Sequence, residues 1–271
     1  MPLSSHASRW LVAAIAAPII LWVLFLAPPE ALYILILLFG LGAWWEYLTA
    51  AFGPGRWGLK TIGLAGWTLT ATGAFFFGPF GQMAGLFLAM VMVGLYFTLA
   101  FSKVTDLFDQ TGRLALGHAY ISLCFSCLLV LFSVDYGPKW VLVTLLVTFL
   151  GDAAAFYTGR SIGKHLLYPA VSPKKTWEGL AGGVLGSGLS AAVLSAFFLP
   201  VPWSEAGLLG LIMGLAAAAG DLFESALKRS AGIKDSGSIL LGHGGVWDRI
   251  DALLFNAPLV LVFVFFYNQG F

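Results

Sequence analysis

Charge is scarce in this chain: Asp, Glu, Lys and Arg make up 10% of its 271 residues, against 59% hydrophobic. So few polar side chains cannot cover a water-soluble globule of this size, and that class is excluded. Cysteine is almost missing, with Cys124 and Cys127 alone. Their CxxC spacing lies in an apolar run with no second pair to complete a zinc site, so both are expected to pack as buried free thiols. An excess of either charge is also lacking, because fourteen Lys and Arg face thirteen Asp and Glu for a net +1. That balance offers no basic surface for nucleic acid. Low-complexity tracts and clear internal repeats are absent. So is the period-two alternation that a transmembrane barrel needs, since residues 31–51 are apolar on every side.

What is present is a series of apolar runs near 20 residues, each long enough to cross about 30 Å of hydrocarbon as a helix. The expected fold is an all-α polytopic membrane protein, one transmembrane domain over 1–271. Residues 1–140 supply amino-terminal helices, and 141–271 supply helices and loops that carry the site. Runs read against breakers give about nine spans, at 10–27, 31–52, 58–79, 83–101, 115–133, 139–158, 178–199, 206–227 and 250–268. The first has a short basic lead and no small-residue cleavage site, and reads as a retained span and not a removed signal.

Under that division thirteen of the fourteen basic residues fall on one side, from Arg9 through Arg56, Lys60, Lys103 and Arg113 to the later loops, and Lys139 alone faces the other. The positive-inside rule makes the crowded side cytoplasmic, with the amino terminus inside.

Two connections on that side hold eight of the fourteen basic residues. The first runs from Gly151-Asp152 through Gly159-Arg160 and Lys164-His165 to Ser172-Pro173-Lys174-Lys175-Thr176-Trp177-Glu178-Gly179. The second runs from Gly220-Asp221 through Ser225, Lys228-Arg229 and Lys234-Asp235 to His243-Gly244-Gly245-Val246-Trp247-Asp248-Arg249-Ile250-Asp251. On a helix, Asp221, Ser225 and Lys228 share one face, and Asp248 and Asp251 project together from the start of the last span. Carboxylates gathered at a membrane interface need neutralising, and oxygen ligands suit Mg²⁺. The expected metal ligands are Asp221, Asp248 and Asp251, with Asp235 as a further one or a lysine partner. A lattice of ion pairs to Lys228, Arg229 and Arg249 satisfies the same spacing and stays open.

Gly244 and Gly245 beside His243 leave backbone N–H groups free to approach an anion. Lys174, Lys175 and Thr176 precede a helix whose positive end favours an anion too. For the lysines, a topology signal is the alternative. Asp152 repeats the Gly-Asp pattern of Gly220-Asp221 and is open to a capping or pairing role.

Ser225-x-Leu227-Lys228-Arg229, then Lys234-Asp235-x-Gly237, then His243-Gly244-Gly245-Val246-x-Asp248-Arg249-Ile250-Asp251 resembles the signature of the phosphatidate cytidylyltransferases, also called CDP-diacylglycerol synthases. The Gly159-Arg160 and Ser172–Gly179 runs are similar to that family too, so motif-level likeness covers about 152–251. The amino-terminal half resembles it only as a series of spans. One departure is Leu241 where the family usually has Pro before Gly-His-Gly-Gly, which removes a backbone restraint but no ligand group.

The resemblance implies transfer of the cytidylyl group of CTP to phosphatidic acid, giving CDP-diacylglycerol and pyrophosphate for phospholipid synthesis. It implies Mg²⁺, with a second cation left open, and a homodimer in the inner membrane. Asp221, Asp248, Asp251, Lys228, Arg229 and His243 are then expected to be catalytic. Ser172, Lys174, Lys175, Thr176, Ser225, Lys234, Gly244, Gly245 and Arg249 are expected to bind substrate phosphates. An ion-coupled transporter and another lipid phosphotransferase are the competing readings.

Overall fold

Breakers in the sequence decide where the helices stop. The computed structural model describes residues 17–100, 106–237 and 244–268. The helices are α1 (17–25), α2 (Pro29–Phe52), α3 (Trp57–Ala100), α4 (Leu107–Gly117), α5 (Cys124–Phe132), α6 (Gly137–Ile162), α7 (Trp177–Phe198), α8 (Trp203–Ser230) and α9 (Trp247–Asn268). Between α6 and α7 lie two short antiparallel strands, β1 (Leu166–Tyr168) and β2 (Ser172–Thr176), pairing Leu166 with Thr176 and Tyr168 with Ser172. Among the described residues, seven helical segments are long and apolar enough to cross a membrane.

The expected spans at 58–79 and 83–101 are the two arms of α3. Gly78 takes φ 60° and ψ −145° ahead of Pro79, a conformation that leaves the helical region. The arms fold back on each other closely enough that a Cβ on Gly85 would lie 2.6 Å from the Leu69 carbonyl oxygen. The expected span at 115–133 begins earlier, because α4, a π-helical turn at His118–Leu123 and α5 run on from Leu107 to Phe132. Asp109, Gln110 and Arg113 hide its start in the sequence, yet an Asp109–Arg113 ion pair at 3.0 Å supports the helix, and Arg113 also donates to the Ala51 carbonyl. Residues 10–16 of the first expected span lie outside the described residues.

The outer face is apolar: Phe77, Phe80, Leu99, Leu189 and Phe197 are all more than two-thirds exposed. Such a surface is untenable in water and ordinary in lipid. Inside, Trp44, Trp67 and Trp247 are fully buried. Where lipid surrounds the helices, association depends on close packing and interhelical hydrogen bonds more than on hydrophobic burial. Two such bonds are Asn256 Nδ2 to Thr148 Oγ1 at 2.8 Å and Gln82 Nε2 to Ser126 Oγ at 2.8 Å. Cys124 and Cys127 are both free, and Cys127 is buried as expected while Cys124 is only partly so.

Candidate active site

Small residues bring α6, α7 and α8 together. A Cβ on Gly214 would lie 2.6 Å from Val184 Cα, and one on Gly183 2.9 Å from Ala155 Cβ. At one shared end the helices part, and a cleft of about 590 Å³ opens between α6, the β-hairpin, α7, α8 and the start of α9. Thr176 makes the turn from β2 into α7 as its N-cap, its hydroxyl accepting from the Gly179 N–H at 3.1 Å. Glu178 in the next turn accepts from the Lys164 and His165 N–H groups at 3.1 and 3.3 Å and pairs with His165 Nδ1 at 2.6 Å, which ties down the base of the hairpin.

The cleft opposes charge. Arg160, Lys174 and Lys175 line it from α6 and β2, while Asp152, Asp221, Asp248 and Asp251 line it from α6, α8 and α9. Lys175 Nζ meets Asp221 Oδ2 at 2.5 Å. Asp221, Glu224 and Asp251 each direct a carboxylate oxygen to within 4.8 Å of the others. Glu224 is buried, and among the described residues its Oε1 has no hydrogen-bond partner. Its neighbours are engaged to different degrees: Asp221 accepts from Ser225 Oγ at 3.4 Å on Oδ1 and faces Lys175 on Oδ2, whereas Asp251 Oδ1 accepts from the Ala252 N–H at 2.8 Å. Three converging carboxylates with an orphaned oxygen fit a hard cation with oxygen ligands.

Asp248 stands apart from that trio. Lys228 Nζ lies 2.6 Å from Asp248 Oδ1 and 2.8 Å from Glu224 Oε2, with all three side chains largely buried. The other Asp248 oxygen accepts from the Gly245 N–H at 3.0 Å, in the manner of the acidic half of a capping box. Of the two patterns that the spacing left open, the geometry contains both. A lattice runs through Lys228, and a metal-fitting cluster lies beside it.

The other expected site residues are distributed as follows. Gly244 has φ 79°, the left-handed turn that glycine favours, but the N–H groups of Gly245, Val246 and Trp247 already serve protein carboxylates, those of Asp248 and Glu46. Arg229 reaches backbone, with Nε 3.4 Å from the Val171 carbonyl and a second bond to the Ile233 carbonyl at 3.2 Å, so it links α8 to the hairpin turn. Ser172 pairs with Tyr168 at the start of β2. Lys234, Asp235 and Arg249 are exposed, and none of them lines the cleft. His243 and Leu241, with Arg9 and Lys103, lie outside the described residues.

Two residues of this region were not singled out by sequence. Glu224 sits one helical turn before Lys228, and the i, i+4 spacing of opposite charges was its signal. Glu46 is in the apolar run of α2, and an acidic residue inside a span was a signal in itself.

The sequence matches the profile of the Cytidylyltransferase family from residue 7 to residue 267. This chain belongs to that family. Among curated relatives of this cytidylyltransferase-family chain, a Bacillus subtilis protein named phosphatidate cytidylyltransferase is 40% identical over 164 residues, 58% of this chain and 60% of that protein. An Escherichia coli K12 protein named YnbB, of uncharacterized function, is 40% identical over 132 residues, 49% of this chain and 44% of its own length. A Staphylococcus epidermidis phosphatidate cytidylyltransferase is 37% identical over 180 residues, 66% of this chain and 68% of that protein. The chain therefore spans about half to three fifths of the length of the first two of these relatives.

Proposed function

We propose that this chain is a membrane-embedded phosphatidate cytidylyltransferase, joining CTP to phosphatidic acid to give CDP-diacylglycerol and pyrophosphate. The observation that carries the reading is the cleft in which Lys174, Lys175 and Arg160 face Asp221 and Asp251. A triphosphate and a phosphatidate headgroup are both polyanions, and this cleft supplies cations for them beside carboxylates for a counter-ion. Family membership and the names of the Bacillus and Staphylococcus relatives support the same reaction.

In this reading Asp221, Glu224 and Asp251 would hold a divalent cation, Mg²⁺, which would supply positive charge to offset the triphosphate. A phosphatidate oxygen forms a bond to the α-phosphorus of CTP while the bond from that phosphorus to the bridging oxygen of the β-phosphate breaks, and pyrophosphate leaves with that electron pair. Phosphate monoesters are already anionic near neutral pH, so no strong base is required. Lys174, Lys175 and Arg160 hold phosphate oxygens and align the two substrates. Lys228 keeps Asp248 and Glu224 in place and stays behind the reacting groups. Asp248 serves the start of α9 first and the metal second, and Asp235 is set aside as a ligand. Ser172, Ser225, Thr176, Arg229, Lys234, Arg249 and the Gly244-Gly245 turn are supporting residues in this assignment, and His243 is kept as an expected participant.

We further place the chain as one domain of nine crossings in the inner membrane, amino terminus and cleft cytoplasmic, working as a homodimer. In support, the two arms of α3 count separately, and Lys60, Arg113, Arg160 and Lys175 share one end of the bundle while Lys139 begins α6 at the other. CTP is aqueous and acyl chains stay in hydrocarbon, so an interfacial cleft suits both. A transporter finds no support in the family, and its polar groups would lie near the midplane.

Purified protein in detergent, given labelled CTP and phosphatidate with and without EDTA, tests the reaction. A Mg²⁺-dependent labelled liponucleotide with release of pyrophosphate is the expected result. Release of a nucleoside diphosphate instead would indicate a kinase, and labelled-solute counterflow without a covalent product a transporter.

A further inference from the structure

Glu46 belongs to α2, far in sequence from the motif-bearing half, yet the residue is 2% exposed and its carboxylate takes three donors from the other end of the chain. The Val246 N–H donates to Oε1 at 3.1 Å, and the Trp247 N–H and Ser236 Oγ donate to Oε2, each at 2.9 Å. Val246 and Trp247 open α9, where the first N–H groups have no partner within the helix and the helix end carries partial positive charge. Glu46 therefore caps α9 from a different helix. The fit around it is close: a Cβ on Gly237 would lie 2.5 Å from Oε1, and one on Gly245 would run into both Oε2 and the Ser236 hydroxyl. Neighbouring positions of α2 are fitted to the same turn. Tyr47 packs edge-on against Trp247 with ring centroids 5.4 Å apart, and Gly42 leaves room for Val246.

Asp248 and Asp251 follow within one turn of these capped N–H groups. Asp248 meets Lys228, and Asp251 joins Asp221 and Glu224. Anything that lets the start of α9 slide or rotate shifts both carboxylates relative to α8. An apolar residue at position 46 would fill space but leave the two N–H groups buried and unpaired.

We propose that Glu46 is a positioning residue for cytidylyl transfer: by capping α9 from α2 it fixes where Asp248 and Asp251 stand against Asp221 and Glu224. The inference rests on the reaction proposed above, but the clamp has its own physical signature. Glu46→Gln keeps shape while replacing one acceptor oxygen with a donor that faces N–H or O–H donors. A misplacement of the site by a fraction of an ångström to one ångström is expected to lower kcat by about 10- to 100-fold. It should also raise the Mg²⁺ concentration for half-maximal activity and weaken Mn²⁺ binding titrated by electron paramagnetic resonance. Amide hydrogen exchange should accelerate in peptides covering residues 244–251 and stay unchanged in α6 and α7. Glu46→Asp, one methylene short, should show the same pattern more mildly.

Wild-type kcat, Mg²⁺ response and local exchange in Glu46→Gln would overturn the proposal. So would exchange that rises uniformly along the chain with Mn²⁺ affinity intact, since that marks a merely structural residue. If Glu46→Gln does not fold, Gly237→Ala presses a methyl group on Oε1 with the carboxylate retained and is expected to reproduce the loss. Wild-type kcat and Mn²⁺ affinity in Gly237→Ala would then overturn the clamp. If the wild-type protein makes no liponucleotide, the reaction reading fails on that arm alone, while Mn²⁺ binding and hydrogen exchange still decide the clamp.

Discussion

Lys175 Nζ lies 2.5 Å from Asp221 Oδ2, so the strand that leaves the β-hairpin is joined by charge to α8 across the cleft. A polyanion that takes Lys175 and a cation that takes Asp221 must divide this pair between them. A substrate polyanion on Lys175 and a cation on Asp221 would each relieve the other's loss of this partner, so binding in the two halves should be mutually favourable.

Lys175→Ala is expected to raise KM for CTP or phosphatidate by roughly 10-fold or more with a smaller change in kcat, as loss of a ground-state phosphate contact does. Steady-state kinetics with each substrate varied checks this. An unaltered KM for both would remove Lys175 from substrate contact.

Glu224→Gln tests the carboxylate trio more sharply than any residue of the signature. It should lower kcat by about 100-fold and raise the Mg²⁺ requirement, comparably to Asp221→Asn and Asp251→Asn, on the scale of removing one preorganised charged group from a site. A Mg²⁺ titration of all three variants is the measurement. Normal Mg²⁺ response in Glu224→Gln would leave that residue as a partner of Lys228 alone.

Lys228→Met should act on folding as well as on turnover. It strands Glu224 and Asp248 without their shared ammonium, and breaking a buried pair in this way costs about 3–5 kcal/mol. Thermal unfolding in detergent should fall clearly, and adding Glu224→Gln should recover part of the loss because one of the uncompensated charges is gone.

Gly214→Val is expected to separate α7 from α8, since even a Cβ there would lie 2.6 Å from Val184 backbone. Loss of the folded, monodisperse protein in detergent is the expected outcome. A well-folded variant would mean that the two helices tolerate a wider spacing.

How much of this was legible in the sequence differs from element to element. The break at Gly78-Pro79 was, because both residues act locally on the backbone. The start of the segment at Leu107 was not, because an Asp109–Arg113 pair makes a polar stretch helical and hydropathy does not register pairing. Asp221 and Asp251 converge as their helical placement implied. Lys228 was legible as an ion-pair partner for these aspartates, but its choice of Asp248, twenty residues away, over Asp221 required the fold. The Gly244-Gly245 turn was legible as a place where N–H groups meet an anion, but the N–H groups of Gly245, Val246 and Trp247 are taken by protein carboxylates. That the anions belong to Asp248 and to Glu46, 201 residues from Trp247, required the fold.

The start of α9 carries a consequence for how the protein is made. Asp248 and Asp251 are translated after every other described residue of the cleft, and they stand in the first turns of the ninth helix. A ribosome therefore releases α2, α6, α7 and α8 into the membrane with Glu46 lacking its α9 donors and Lys228 missing one of its two carboxylates. The nascent chain carries an incomplete charge set until α9 emerges, so the carboxylates of the cleft are complete only with the last described helix.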